Sequence, residues 1–177
     1  LALHVKDQKN FNNESFVKII QKDPDSLSTI MICTKDRANV FATIIGILDS
    51  ENINFLDAKL FGMKNGFCLD FITISNQAGE VISNNSSVAK SLTIRLKEAL
   101  DQEVLSPKIV KRRQPKHLKH FNTDTIIEYK HDMTHRWTEI DIKTSDRPGL
   151  LASICQVFLD HGALIRKARI ATYGERA

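Results

Sequence analysis

Only 3 cysteines occur among 177 residues, and no two stand in a CxxC spacing. That excludes a cysteine zinc site and a disulfide framework. Cys33, Cys68 and Cys155 lie in or near apolar segments. They are expected to be reduced and buried, which implies a cytoplasmic protein. No apolar run approaches the roughly 20 residues of a membrane span, and no signal peptide appears, so no membrane partner is expected. Glycine-rich phosphate loops are missing, and so are paired carboxylates beside a Gly-Ser nucleotidyltransferase motif. The six histidines show no metal-ligand spacing with cysteine or carboxylate. His131-Asp132, the one His-Asp pair, falls in an expected hairpin turn. The expectation is therefore no catalytic residue, no metal ligand and no cofactor within these residues. An initiator methionine is absent before Leu1-Ala2-Leu3-His4, and the patterns stop abruptly at Tyr173 to Ala177. The chain reads as a fragment of a longer protein, and its formal charge of +4 is modest.

What is present is a repeat. The stretch Ile32 to Ile44 reappears as Ile142 to Ile154, 110 residues later, with no gap through Ala58/Ala168 and Lys59/Arg169. Phe121-Asn122 echoes Phe11-Asn12, and Thr125 to Lys130 echoes the segment at Phe16. Repeats of this kind decide the fold and are sought first. The expected organisation is a lead-in over 1–14, a first domain over 15–104, a basic linker over 105–120, and an incomplete second domain over 121–177.

Periodicity supplies the elements. Phe16 to Ile20, Leu27 to Thr34, Ile53 to Phe61 and Phe67 to Ser75 alternate like strands. Val40, Phe41, Ile44, Ile47 and Leu48 recur at helical spacing over Val40 to Ser50. Asn84 to Ser87 offer N-caps for a helix to about Asp101, with Val88, Leu92, Leu96 and Leu100 on one face. Lys64-Asn65-Gly66 is a hairpin turn. The predicted fold is α+β and ferredoxin-like: a four-stranded antiparallel sheet with two helices on one face. The leading strand fills the place of the usual last strand.

Alternation is expected to put Phe67, Leu69 and Phe71 on the core face, which argues against an RNA-stacking strand. No nucleic-acid partner is expected. Met31 and Cys33 align with Asp141 and Lys143. The outer face is thus apolar in the first copy and charged in the second, and the first is expected to pack on another surface. Lacking its third strand, the second copy should leave Ala163 to Ala171 without a strand to join. An open edge of that kind invites self-association.

The best-preserved element is a strand, a tight loop and a helix start. In the second copy it is Asp146-Arg147-Pro148-Gly149-Leu150-Leu151. Pro148 suits a first helical turn, and Gly149 allows close approach to the backbone. The helix N-terminus presents free N–H groups to a carboxylate. Asp146 is placed to take a ligand's ammonium, and Arg166 to add a contact. The alternative, open at this point, is a plain turn with Asp146 as a cap. In the first copy the loop is Asp36-Arg37-Ala38-Asn39-Val40, without Pro-Gly. Both readings stay open there too.

Asp146 to Ala152, between strand and helix, resembles an ACT domain, the small amino-acid-sensing module. Further segments sharpen the match: Thr34 to Arg37, Phe41-Ala42-Thr43, Asp57-Ala58, Leu69-Asp70-Phe71, Lys116 to Phe121, and Ala168 to Arg176. Together they resemble the C-terminal tandem ACT region of the bifunctional uridylyltransferase/uridylyl-removing enzyme family. The resemblance implies a regulatory region that senses glutamine. The parent enzyme would add UMP to the P-II nitrogen-signalling protein and remove it, using Mg2+ in catalytic domains upstream. The alternative is an ACT-type module of another protein. Lys111, Arg112, Arg113, Lys116 and Lys119 read as a solvated linker.

Overall fold

The computed structural model describes residues 14–21, 27–105, 107, 124–134, 136–145, 149–163, 165 and 167–169. The basic segment around Lys111 to Lys119 lies outside them. Seven strands and three helices occur among the described residues. They run in the order β1 (Phe16–Ile20), β2 (Ser28–Lys35), α1 (Val40–Ser50), β3 (Asn54–Gly62), β4 (Phe67–Ser75), α2 (Ser87–Leu100), β5 (Ile126–Asp132), β6 (Trp137–Lys143), α3 (Leu150–Asp160) and β7 (Lys167–Arg169).

The fold is α+β and ferredoxin-like. Its main sheet has the order β1-β2-β4-β3-β7, antiparallel throughout. β1 takes the flank of β2 that a closing strand would otherwise take, as the repeat boundary predicted. Helix α1 has the predicted limits, because its apolar stripe is continuous from Val40 to Leu48. Helix α2 starts at the Ser86 cap, whose hydroxyl accepts from the Ala89 amide at 3.1 Å. Val88 is exposed, and Ala89 takes its expected place beside Leu92, Leu96 and Leu100. The helices bury one sheet face, where Ile30, Ile32, Ile44, Ile72, Ile74 and Leu96 are fully enclosed. Each such side chain contributes about 1.5–3 kcal/mol.

The facing of β4 is the reverse of the sequence expectation. Cys68, Asp70, Ile72 and Ile74 are buried on its helix side, Ser75 is buried at its end, and Phe67, Leu69 and Phe71 lie on the opposite, half-buried face. The register explains this. Ile72 sits between Ile30 of β2 and Ala58 of β3, so its parity is fixed by the core isoleucines. The argument against an RNA-stacking strand that rested on the other placement falls with it. Met31 and Cys33 are on that outer face, opposite Phe71 and Leu69, and are buried outside the core cluster. All three cysteines are free and buried.

A second correction concerns the end of the chain. β7 does find a strand to join: it pairs with the edge of β3, Asp57 opposite Arg169, Ala58 opposite Ala168, Lys59 opposite Lys167. These pairs exchange under the 110-residue shift, so Ala58/Ala168 marks a pseudo-twofold axis. Helices α1 and α3, also related by that shift, pack on each other. Leu151, Ala152, Cys155, Leu159, Ile165 and Ala168 thereby join the core cluster of the first copy.

The hairpin β5–β6 repeats the register of β1–β2, with Ile127 opposite Ile142 where Val17 meets Ile32. Its inner face is open, and Ile127 and Tyr129 are 61% and 79% exposed. Its outer face is charged as expected, with Lys143 bridging Glu128 and Asp141. His131-Asp132 ends β5 rather than lying in the turn.

The β3–β7 pairing predicts a cross-link. Directly opposite residues of an antiparallel pair have Cβ atoms about 4.5–5.5 Å apart. Ala58→Cys with Ala168→Cys should oxidise to an internal disulfide, read as a faster non-reducing gel band. Thr29→Cys with Ala168→Cys should not. Equal yields from the two pairs would refute this register.

Candidate functional site

Both repeats start their helix after a left-handed residue, and the two residues differ in type. In the first, Asn39 adopts the left-handed conformation, φ 74° and ψ 0°, immediately before α1. In the second, Gly149 does so before α3, φ 75° and ψ 9°. Asparagine is among the few residues that tolerate this region, so loss of the Pro-Gly pair leaves the geometry intact. The carbonyls of Asn39 and Gly149 each accept from the amide four residues on, Thr43 and Ser153, at 2.9 Å. Neither residue caps its helix with a side chain. The first-turn amides of α1 and α3 thus have no side-chain cap from that position, the arrangement an anion favours.

The side chains of the first loop are engaged within the fold. Arg37 donates from Nη2 to the Leu100 carbonyl and from Nη1 to the Glu103 carbonyl, both at 2.7 Å. A cation on the last carbonyls of α2 is favourable there. Asn39 Nδ2 donates to the Leu105 carbonyl at 3.2 Å. Two candidate ligand contacts of the first loop are therefore occupied in holding the end of α2 and the segment after it. Ala38 and Val40 complete this loop, with Val40 buried in the core. Asp36 turns the other way: its amide donates to the Gly66 carbonyl at 2.9 Å, and its side chain is exposed. Gly66 holds φ 77° in the β3–β4 turn, which delivers that carbonyl.

In the second loop Gly149, Leu150 and Leu151 open α3, and Leu151 packs against the core. Asp146, Arg147, Pro148 and Arg166 lie outside the described residues. Among the described residues no group of three His, Cys, Asp or Glu side chains is placed to hold a metal ion.

The core side of the sheet also holds a charged residue that was not among the candidates from the sequence. Asp70 is 3% exposed, in the middle of β4, between Ile32 of β2 and Leu60 of β3. Cys68 Sγ donates to its Oδ2 at 3.7 Å, while Oδ1 has no partner. Burial pushes the Asp70 carboxyl up to about 6, against the Cys68 thiol and the Phe61 amide, which lower it. Cys68 is pushed up to about 12 by burial first, then by the charges of Asp70 and Asp36. This thiol is a donor to the carboxylate and not a nucleophile. The signal that would have found Asp70 is its parity with Ile72 and Ile74.

No protein-family model and no solved structure matches the chain. Curated proteins do. A bifunctional uridylyltransferase/uridylyl-removing enzyme of Psychrobacter sp. is 37% identical over 148 residues, 84% of this chain and 16% of that protein. The enzyme of the same name from Pseudomonas fluorescens is 32% identical over 159 residues, 90% of the chain and 18% of the relative. That of Acinetobacter baumannii is 33% identical over 148 residues, 84% and 17%. The chain thus spans 16–18% of the length of these relatives. Over nearly all of its own length, it belongs to the family of bifunctional uridylyltransferase/uridylyl-removing enzymes.

Proposed function

We propose that this chain is the glutamine-sensing regulatory region of a uridylyltransferase/uridylyl-removing enzyme. The whole enzyme would modify the P-II nitrogen regulatory protein with UMP and reverse the modification, with Mg2+ in its catalytic domains. The observation that carries the sensing role is the duplicated loop, with a left-handed residue and no side-chain cap before each helix. Such a helix start suits the carboxylate of a free amino acid. The second loop, over Asp146 to Leu151 with Arg166 nearby in sequence, is the better ligand seat. Arg37 and Asn39 of the first loop are bonded to the end of α2 and the segment after it. An ACT-type module of an unrelated protein is the weaker reading, because the relatives match over 84–90% of the chain.

Calorimetry tests this. Glutamine is expected to bind the chain and Gly149→Asn to weaken it at least about tenfold, equivalent to 1.4 kcal/mol. Asparagine holds the left-handed conformation at position 39, so the variant adds a side chain without breaking the turn. Valine is the poorer probe, since its backbone strain alone costs about 1–3 kcal/mol. An unchanged circular dichroism spectrum confirms the fold. Equal affinity in both proteins would move the site away from this loop. Absence of any glutamine heat in the unmodified chain would sink the sensing role.

A further inference from the structure

The first loop retains one carboxylate that its structural duties leave over, and a second lies beneath it. Asp36 is exposed at the mouth of the loop. Asp70 is enclosed on the helix face of β4 with Oδ1 unpartnered. The two are close enough for the charge of Asp36 to act on both Asp70 and Cys68. Gly62 leaves room beside Asp36: a Cβ there would come within 3.3 Å of Asp36 Oδ2. A buried carboxylate oxygen without a donor is costly, and a cationic donor is what it lacks.

We propose that Asp36 and Asp70 form a subsite for a protonated primary amine, entered from the loop end of β4. Asp36 would meet the incoming –NH3+ at the surface, and Asp70 Oδ1 would accept one of its hydrogens. Among the described residues, the other groups facing Asp70 supply no competing cation. Its titratable neighbours are Cys68 and Asp36. β2 and β3 place Ile32 and Leu60 opposite it. The buried residues of α1 and α2 are all uncharged. The amine belongs either to a free amino acid or to a simple ammonium ion. Only the first source rests on the sensing role proposed above.

The test compares the unmodified chain with Asp70→Asn and Asp36→Asn, neutral isosteres of nearly equal shape. The probes are methylammonium, tetramethylammonium, glutamine and glutamine's deaminated analogue. Methylammonium is expected to raise the thermal midpoint of the unmodified chain. The gain should be absent in Asp70→Asn and reduced in Asp36→Asn. Tetramethylammonium, which carries the charge without an N–H, should give no gain. Calorimetry near pH 5.5 should show proton release on binding, because the amine holds Asp70 ionised. If the amino acid is the source, a glutamine binding event separate from that at the Gly149 loop should weaken at least tenfold in Asp70→Asn, and the deaminated analogue should bind both proteins alike. If glutamine gives no heat but methylammonium still separates the variants, the subsite stands and the sensing role fails. A methylammonium response equal in Asp70→Asn and the unmodified chain, or absent from both, overturns the proposal.

Discussion

Replacing Ile72 with alanine should cost the fold about 2–5 kcal/mol, the range for deleting a large buried aliphatic side chain. Ile72 has no exposed surface and sits on β4, the central strand of the five. It meets Ile30 on one side and Ala58 on the other. Ala58 has no side-chain rotamers with which to fill the space. Urea denaturation reads the loss as a lower midpoint at unchanged slope. Ile94→Ala is the control. Ile94 projects from α2 and is 56% exposed, so its loss should stay within about 0.5 kcal/mol. Similar costs at both positions would mean that the β4 packing is wrong.

Asp70→Asn should stabilise the protein in alkaline buffer and not in acid. The folded carboxyl titrates at about 6 against an ordinary 3.8, so the folded state binds the proton more tightly. Between those values the folded chain carries more protons than the unfolded one, and stability falls as pH rises. The contribution is intact below 3.8 and lost above 6. Its size is roughly 3 kcal/mol at 1.36 kcal/mol per pH unit. Asparagine removes the titration. The difference in unfolding free energy between variant and parent should therefore grow from pH 4 to pH 7 and then level. Parallel stability curves across that range would show that Asp70 has no raised affinity for its proton. The two predictions on Asp70 also pull in opposite directions: the residue expected to help hold an amine weakens the empty protein. That is the usual relation of a binding group to its fold.

Helix α1 was legible to the residue because amphipathic spacing, with no breaker inside it, fixes both the element and its buried face. The limits of β4 were legible as well, but not its facing. A period of two says which residues share a side and leaves open which side is inside. Three large apolar residues at 67, 69 and 71 outweighed Asp70 in the pattern. In the structure, the isoleucines at 72 and 74 and their partners across β2 decide it. Asn39 could have been read, since asparagine substitutes for glycine where φ is positive. The bonds from Arg37 to the end of α2 could not, because they join residues more than 60 apart with no periodic trace. The β3–β7 ladder was missed for a related reason. Each copy was read as a separate domain, whereas the second contributes its strand and helix to the core of the first.

That ladder has a consequence for synthesis. Ala58 and Ala168 are 110 residues apart. At about 5–20 residues per second, the β3 edge is made roughly 5–20 s before its partner strand emerges. During that interval its backbone donors and acceptors face any other nascent chain. The alternatives are pairing with a neighbour's β3 or with its β7, and either would give a domain-swapped product. Asp57 and Lys59 on this edge are residues of the kind that discourage such pairing. Slow codons between the two segments should therefore lower the yield of monomer.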